Sequence, residues 1–253
     1  MTGPFDFTGK TVLVTGASRG IGRALALGFA EAGADLVVTA RSRGALDALV
    51  EEVRAKGRDA VAIEADLVDP AAADRITAEA LARKGVIDVL VNNAGTSEPK
   101  AFVETDDALF ERVFALNFGA VVRLSRSVGK HMLERRKGSI ILLGSVLGRT
   151  AIPGNVAYYA SKGALEQLGR GLAVEWARTG VRVNTLAPGF VDTEIVAGVT
   201  EPGGLGDYVR RRTPMRRVGR PEELVPAALY LASEASSYVT GSMVNVDGGW
   251  LAG

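Results

Sequence analysis

Three side chains in one short stretch have the types and spacing for proton chemistry. Ser145 closes the apolar run Ile140-Ile141-Leu142-Leu143, and Tyr158 and Lys162 follow the Pro-Gly-Asn punctuation at 153 to 155. If Asn155 caps a helix, Tyr158 falls in its first turn, and a spacing of four sets Tyr158 and Lys162 on one helical face. Tyrosine ionises near pH ~10, so making it a base near pH ~8 requires roughly 2.7 kcal/mol of preferential anion stabilisation. An ammonium one turn away and the positive start of a helix both act in that direction. Ser145 lies where a parallel strand would deliver a side chain to a ligand crevice, and its hydroxyl can hydrogen-bond a substrate oxygen. A solvated helix face also carries Tyr-x-x-x-Lys spacings, so the rest of the chain has to decide between the two readings.

Composition narrows the chemistry. The 253 residues contain no cysteine and one histidine, His131, which removes disulfides, cysteine nucleophiles, Cys-based zinc sites and any histidine cluster; no metal site is expected. His131, between Lys130 and Met132 on an amphipathic segment, reads as a surface or boundary residue. Acid and base work therefore falls to Tyr, Lys or carboxylates. With 30 basic and 29 acidic side chains the formal charge is +1, so no global field favours nucleic acid or an anionic membrane. The N-terminal residues lack the pattern of a secretory signal, and no apolar run approaches the ~18 residues of a membrane span. A soluble, cytoplasmic protein is expected, folded as one domain over 1–253.

The elements that must position Ser145, Tyr158 and Lys162 follow from alternating patterns. Lys10 to Thr15 is a β-branched run, and Gly16-Ala17-Ser18-Arg19-Gly20-Ile21-Gly22 follows at once, then a helix-period segment that Gly33 ends. Strand, glycine turn and helix in that order are the context that makes a glycine motif informative. Gly16 permits the turn, Gly20 lets backbone approach a pyrophosphate, Gly22 allows close helix–strand packing, and the helix start offers N–H groups to phosphate. A second strand, Asp35 to Ala40, leads to Arg41-Ser42-Arg43-Gly44. An NAD site usually has a carboxylate here for the ribose 2′-hydroxyl, yet no acid lies between Asp35 and Asp47. Arg41, helped by Arg19 or Ser42, can instead hold the 2′-phosphate of NADP; the competing reading is solvated loop arginines.

Helix Ala45 to Lys56 and strand Ala60 to Glu64 precede Asp66-Leu67. Asp66 suits an adenine amino group, and an Asx turn explains it equally well. A third helix, about Pro70 to Lys84, leads to strand Val86 to Val91 and Asn92-Asn93-Ala94-Gly95. Parallel βαβ units would turn Asn93 to Gly95 toward the crevice. A long helix is expected from about Asp106 to Arg136, interrupted by Asn117 and Gly119; spacing favours Asn117 satisfying local backbone groups. The Tyr158 helix reaches about Arg178. Strand Val181 to Leu186 then ends in Ala187-Pro188-Gly189-Phe190-Val191-Asp192-Thr193. Glycines at 198, 203, 204 and 206 give the stretch of about 190–214 the look of a substrate lid. Five arginines between Arg210 and Arg217 read either as attraction for an acidic substrate or carrier or as a solvated helix end. A helix from Pro221 to Ala232 and a strand from Ser242 to Val246 complete seven strand candidates in one sheet.

Together these residues resemble the classical short-chain dehydrogenase/reductase family over essentially the whole chain. The matches, in order, are Thr15 to Gly22, Asp66, Asn92 to Gly95, Asn117, Ser145, Tyr158 with Lys162, Pro188-Gly189 and Thr193. The resemblance implies an α/β Rossmann-type doubly wound sheet of order 3-2-1-4-5-6-7. It implies that Tyr158 is the general acid/base, that Lys162 lowers its pKa and binds the nicotinamide ribose, and that Ser145 polarises the substrate oxygen. Asn117 would bend its helix so that a backbone carbonyl holds a relay water. NADP(H) would lie along Gly16, Ser18 to Gly22, Arg41, Ser42, Asp66, Leu67, Asn93 to Gly95, Pro188, Gly189, Val191 and Thr193. A homotetramer is implied as well, with the 106–136 and 155–178 helices at one interface. Two subgroups share all of these residues, the gluconate or deoxygluconate dehydrogenases and the 3-oxoacyl carrier-protein reductases. The Arg216 to Leu224 region, the helix Ala164 to Trp176 and the ending Asp247-Gly-Gly-Trp-Leu lean toward a sugar acid or polyol. Lys130 keeps one carrier-docking position, and Val174 stands where the other would be basic. A non-catalytic NADP sensor on the same fold is the alternative of another class, disfavoured because Tyr158 and Lys162 are both present.

Overall fold

The computed structural model describes residues 3–193 and 204–253. Seven strands among them form one parallel sheet of order β3-β2-β1-β4-β5-β6-β7: β1 Thr11–Thr15, β2 Asp35–Ala40, β3 Ala60–Glu64, β4 Val89–Asn92, β5 Gly138–Leu143, β6 Val181–Pro188 and β7 Met243–Val246. The helices between them are α1 Gly20–Glu31, α2 Arg43–Ala55, α3 Ala72–Lys84, α4 Asp107–Phe114, α5 Ala120–Arg135, α6 Val156–Trp176, α7 Gly204–Arg212 and α8 Val225–Ala232.

The period-2 alternation of each strand divides its apolar residues between two cores. Val12 and Val14, Leu36 and Val38, and Ile141 and Leu143 pack with Leu25 and Phe29 of α1, Leu46 and Leu49 of α2 and Leu231 of α8. Leu13, Val37, Ile140 and Leu142 face the other way, onto Ile76 of α3, Leu124 and Val128 of α5 and Leu165 of α6. Both faces being covered explains why the strands read as near-continuous hydrophobic runs. Strand order turns back between β1 and β4, so the carboxyl ends of these neighbours open a crevice at the switch point. The glycine turn after β1 and Asn93 after β4 both lie there.

Boundaries move where side chains compete for backbone groups. β4 starts at Val89 rather than Val86, after Asp88 has taken the Thr11 N–H on its carboxylate at 3.1 Å. β6 runs on to Pro188, acceptable at a strand end where a missing N–H costs no ladder bond. The expected Asp106 to Arg136 helix is divided by a π-helical turn at Ala115–Gly119. α6 ends at Trp176 and a 3-10 turn carries on through Thr179.

A tight packing constraint bears on the cradle at Gly22, where a Cβ would lie 2.3 Å from both the Gly16 carbonyl oxygen and Asn93 Nδ2. Backbone cannot yield there as a flexible side chain would. Gly22→Ala should therefore lower unfolding stability by about 1–3 kcal/mol, as for overpacked cores, read from the denaturant midpoint.

Candidate active site

Lys162 is 5% exposed, and its Nζ donates to the Leu143 carbonyl at the end of β5 at 2.6 Å. That bond fixes α6 against the strand end from which the chain enters Ser145. Ser145 takes extended backbone (φ −167°) and opens a 3-10 turn, Val146–Gly148, its Oγ accepting the Leu147 N–H at 3.1 Å. The same hydroxyl faces the Tyr158 phenol closely enough to favour its ionised form. Lys162 Nζ lies 5.6 Å from the centroid of the Tyr158 ring. Gly148 makes the close approach possible: a Cβ there would be 3.0 Å from the Lys162 carbonyl carbon. Arg149, one residue on, donates Nε to both Glu166 oxygens at 2.9 Å, and Arg170 reaches the same carboxylate from the next turn of α6. The three expected residues thus meet at one point.

Electrostatics differ from the sequence expectation. Burial pushes the Tyr158 phenol above its ordinary value, the Ser145 hydroxyl opposes this, and the neighbouring Tyr159 adds to the rise. Tyr158 is not lowered by Lys162 in this state. Burial penalises the phenolate more than an ammonium already committed to Leu143 can favour it. Lys162 is itself pushed down, to about 8, by burial. Burial therefore keeps the Tyr158 phenol in its neutral form.

Asn117 occupies the π turn, fully buried. Its Oδ1 accepts the Thr96 N–H at 2.8 Å, while Nδ2 donates to the Thr96 carbonyl at 2.9 Å and to Ser161 Oγ at 3.1 Å. The backbone groups it satisfies belong to another segment, 21 residues away, rather than to its own helix. Ser161 in turn donates to the Tyr158 carbonyl at 2.7 Å. One carboxamide thereby links the loop after β4, the π turn and the helix that carries Tyr158.

The glycine turn has the form of a phosphate cradle. Gly16 and Gly20 have φ of +63° and +54°, which favours glycine. Ser18 is partly buried and Arg19 exposed, Ile21 packs on the core, and Arg19 at the N-cap of α1 gives no side-chain cap to the helix start. Asn93 Nδ2 donates to the Thr15 and Gly16 carbonyls at 2.8 and 3.1 Å, and Thr15 Oγ1 accepts the N–H groups of Asn93 and Ala94. A Cβ on Gly20 would lie 3.3 Å from Thr193 Cγ2, so Thr193 overhangs the cradle. Arg41 and Ser42 are exposed after β2. Asp66 forms an Asx turn, accepting the Val68 N–H at 3.0 Å, beside buried Leu67. Ala94 and Gly95 are partly buried; a Cβ on Gly95 would be 3.8 Å from Lys162 Nζ. Pro188 and Gly189 end β6, and Val191 bridges to Gly219. The cradle, the uncapped helix start and the exposed Arg41 fit a dinucleotide carrying a 2′-phosphate.

The expected lid at 190–214 falls partly on residues 194–203, outside the described residues. Its flanks are anchored: Phe190, Val209 and Trp250 cluster with Val146, next to Ser145. The arginine run resolves into local contacts. Arg210 pairs with Asp207, Arg212 stacks 4.5 Å from the Trp250 ring, and Arg217 binds Glu223. Sequence reasoning matched Thr15 at the head of the glycine motif without giving its hydroxyl a role, and did not single out Ser161; its place next to Lys162 is the signal that could have found it. Asn155 stands at the N-cap of α6 without capping it, a correction to the expected cap.

Because Lys162 titrates near 8 in the fold against 10.5 for a free lysine, the unfolded chain binds the extra proton between those values, and stability rises with pH across that window. Relative to Lys162→Met, the wild type should gain up to about 3 kcal/mol between pH 7 and 10.5, measured by denaturant unfolding at several pH values.

A family model described as enoyl-(acyl carrier protein) reductase matches residues 16–251. The chain is 41% identical over 251 residues to 2-dehydro-3-deoxy-D-gluconate 5-dehydrogenase of Pseudoalteromonas atlantica, covering 98% of each. It is 43% identical over 248 residues to galactitol 2-dehydrogenase (L-tagatose-forming) of Cereibacter sphaeroides, covering 97% of this chain and 96% of the other. Among solved structures, a gluconate 5-dehydrogenase from Burkholderia cenocepacia in complex with NADP and tartrate superposes with a TM-score of 0.95 at 36% identity, over 99% of this chain and 98% of that one. With this likeness covering nearly the whole chain, the chain belongs to the short-chain dehydrogenase/reductase family of oxidoreductases.

Proposed function

We propose that the protein interconverts a secondary alcohol and a ketone with NADP(H), acting on a sugar acid or polyol. The observation that carries this is the buried Lys162 ammonium, fixed to the Leu143 carbonyl at 2.6 Å and 5.6 Å from the Tyr158 ring, with the Ser145 hydroxyl acting on the Tyr158 phenol at the crevice of the sheet. NADPH, when bound, supplies the hydride. Tyr158 gives its proton to the substrate oxygen in reduction and takes it back in oxidation. Burial keeps that proton on the phenol until the substrate oxygen needs it. Ser145 Oγ would orient the same oxygen, Lys162 would hold the nicotinamide ribose and connect the site to a proton relay, and Asn117 holds the π turn from which that water relay would start. Arg41 and Arg19 would take the 2′-phosphate; support comes from the absence of an acid between Asp35 and Asp47 and from the NADP bound by the Burkholderia relative. The sugar substrate is supported by the names of the gluconate and galactitol relatives.

A second reading, reduction of a 3-oxoacyl thioester, draws on the carrier-protein wording of the family description and on exposed Lys130. Against it, Val174, 82% exposed on α6, offers no cation to an acidic carrier. We also propose a cytoplasmic homotetramer joined in part through α4, α5 and α6. No helix among the described residues is long and apolar enough to cross a membrane.

Tyr158→Phe should lower kcat by at least about 100-fold, the scale of general acid–base catalysis, while NADPH still binds; a non-catalytic sensor would be indifferent to the change. Arg41→Asp should weaken NADPH about 10- to 100-fold relative to NADH, the value of a hydrogen bond to a charged group. Equal binding of NADH and NADPH by the wild type, read by stopped-flow fluorescence, would refute the 2′-phosphate assignment.

A further inference from the structure

An oxidoreductase of the kind proposed must also hold the part of its substrate that does not react, and the role assigned here to Ser97 rests on that reading. Asn155 is of the residue type that ordinarily caps a helix and stands at the N-cap of α6, yet makes no side-chain cap. Its Nδ2 instead donates to Ser97 Oγ at 2.6 Å. Its Oδ1 is buried and has no hydrogen-bond partner among the described residues, in a residue only 8% exposed. The fold thus accepts two losses at this position, a missing cap and an unpaired buried group.

The surroundings hold the pair in place beside the reacting groups. Lys100 N–H donates to the Gly154 carbonyl at 2.7 Å, tying the loop after β4 to the entry of α6. Thr96, next to Ser97, is gripped at both backbone groups by Asn117. Gly95, one residue earlier, borders Lys162 Nζ. Asn155, Tyr158 and Lys162 stand at i, i+3 and i+7, one side of α6. Ser97 is partly exposed, and with Asn155 Nδ2 occupying a lone pair of its oxygen, its proton is directed away from Asn155.

We propose that Ser97, oriented by Asn155, is a specificity-determining contact that donates its hydroxyl proton to a second hydroxyl of a polyhydroxylated substrate, along the carbon chain from the reacting carbinol. Ser97 touches the substrate; Asn155 is a positioning residue acting through it. A neutral hydroxyl backed by a carboxamide selects substrates by an oxygen that simple alcohols lack. Their binding would forgo this contact.

The test compares NADP+-dependent oxidation of galactitol, D-gluconate and cyclohexanol by the full chain. Ser97→Ala should lower the ratio of kcat/KM for the better polyhydroxy probe to that for cyclohexanol about tenfold, the scale of one neutral hydrogen bond, with the change mostly in KM. Ser97→Thr should restore most of the ratio, and Asn155→Ala should lower it in the same direction. NADP+ affinity, followed by fluorescence, checks that the variants are folded. An unchanged ratio in Ser97→Ala, or Ser97→Thr behaving like Ser97→Ala, overturns the inference and leaves the oxidoreductase reading intact. So does a wild type that oxidises cyclohexanol alone. Oxidation of none of the three probes by wild type with NADP+ bound overturns the sugar and polyol reading and this inference together.

Discussion

A lysine ammonium taken out of water and given one strand-end carbonyl is the constraint around which the site is built. Burying an ion is tolerable only when its hydrogen-bonding capacity is met nearby, and Leu143 O supplies one acceptor at 2.6 Å. Because Leu143 ends β5 and Lys162 is in the second turn of α6, this bond sets the axial position of the helix on the sheet. Tyr158 and Asn155 inherit their places from it. The cost of the buried charge is visible in its pKa of about 8.

The same logic explains the π turn. A continuous helix from Asp107 to Arg135 would direct Asn117 by the ordinary 3.6-residue period. One extra residue in the turn leaves Asn117 buried and bonded to Thr96 and Ser161. Phe110 stacks on Phe114 at 4.8 Å and Phe114 meets Phe118 edge-on at 6.4 Å across the interruption, which maintains packing where the α-helical ladder is disturbed. A local defect in one helix is thereby converted into a tether between the β4 loop and the tyrosine helix.

These tethers mark the limit of what the sequence alone made legible. Strand order, the glycine turn and the Ser145, Tyr158 and Lys162 grouping follow from periodicity and motif, since each is encoded by residues close together in the chain. The direction of the Tyr158 shift is not: it depends on how many atoms crowd the phenol oxygen, which spacing does not report. Asn155 shows the same limit from the other side. Its type and position predict a cap, and only the approach of Ser97 from 58 residues away takes the side chain elsewhere. Asn117 kept the expected task, satisfying backbone, with a partner that sequence distance concealed.

The arginine run shows why the substrate end is harder to read than the catalytic end. In sequence, Arg210 to Arg217 is a dense positive block. In the fold, Asp207, the Trp250 ring and Glu223 each occupy one of its members, so these three of its five arginines are engaged within the chain. Trp250 is fully buried against Phe190 and donates Nε1–H to Thr150 Oγ1 at 3.1 Å. The C-terminal segment, α7 and the turn after Ser145 consequently form one body, assembled from stretches 100 residues apart. The Ser97–Asn155 contact is likewise a product of tertiary packing, joining the loop after β4 to the start of α6.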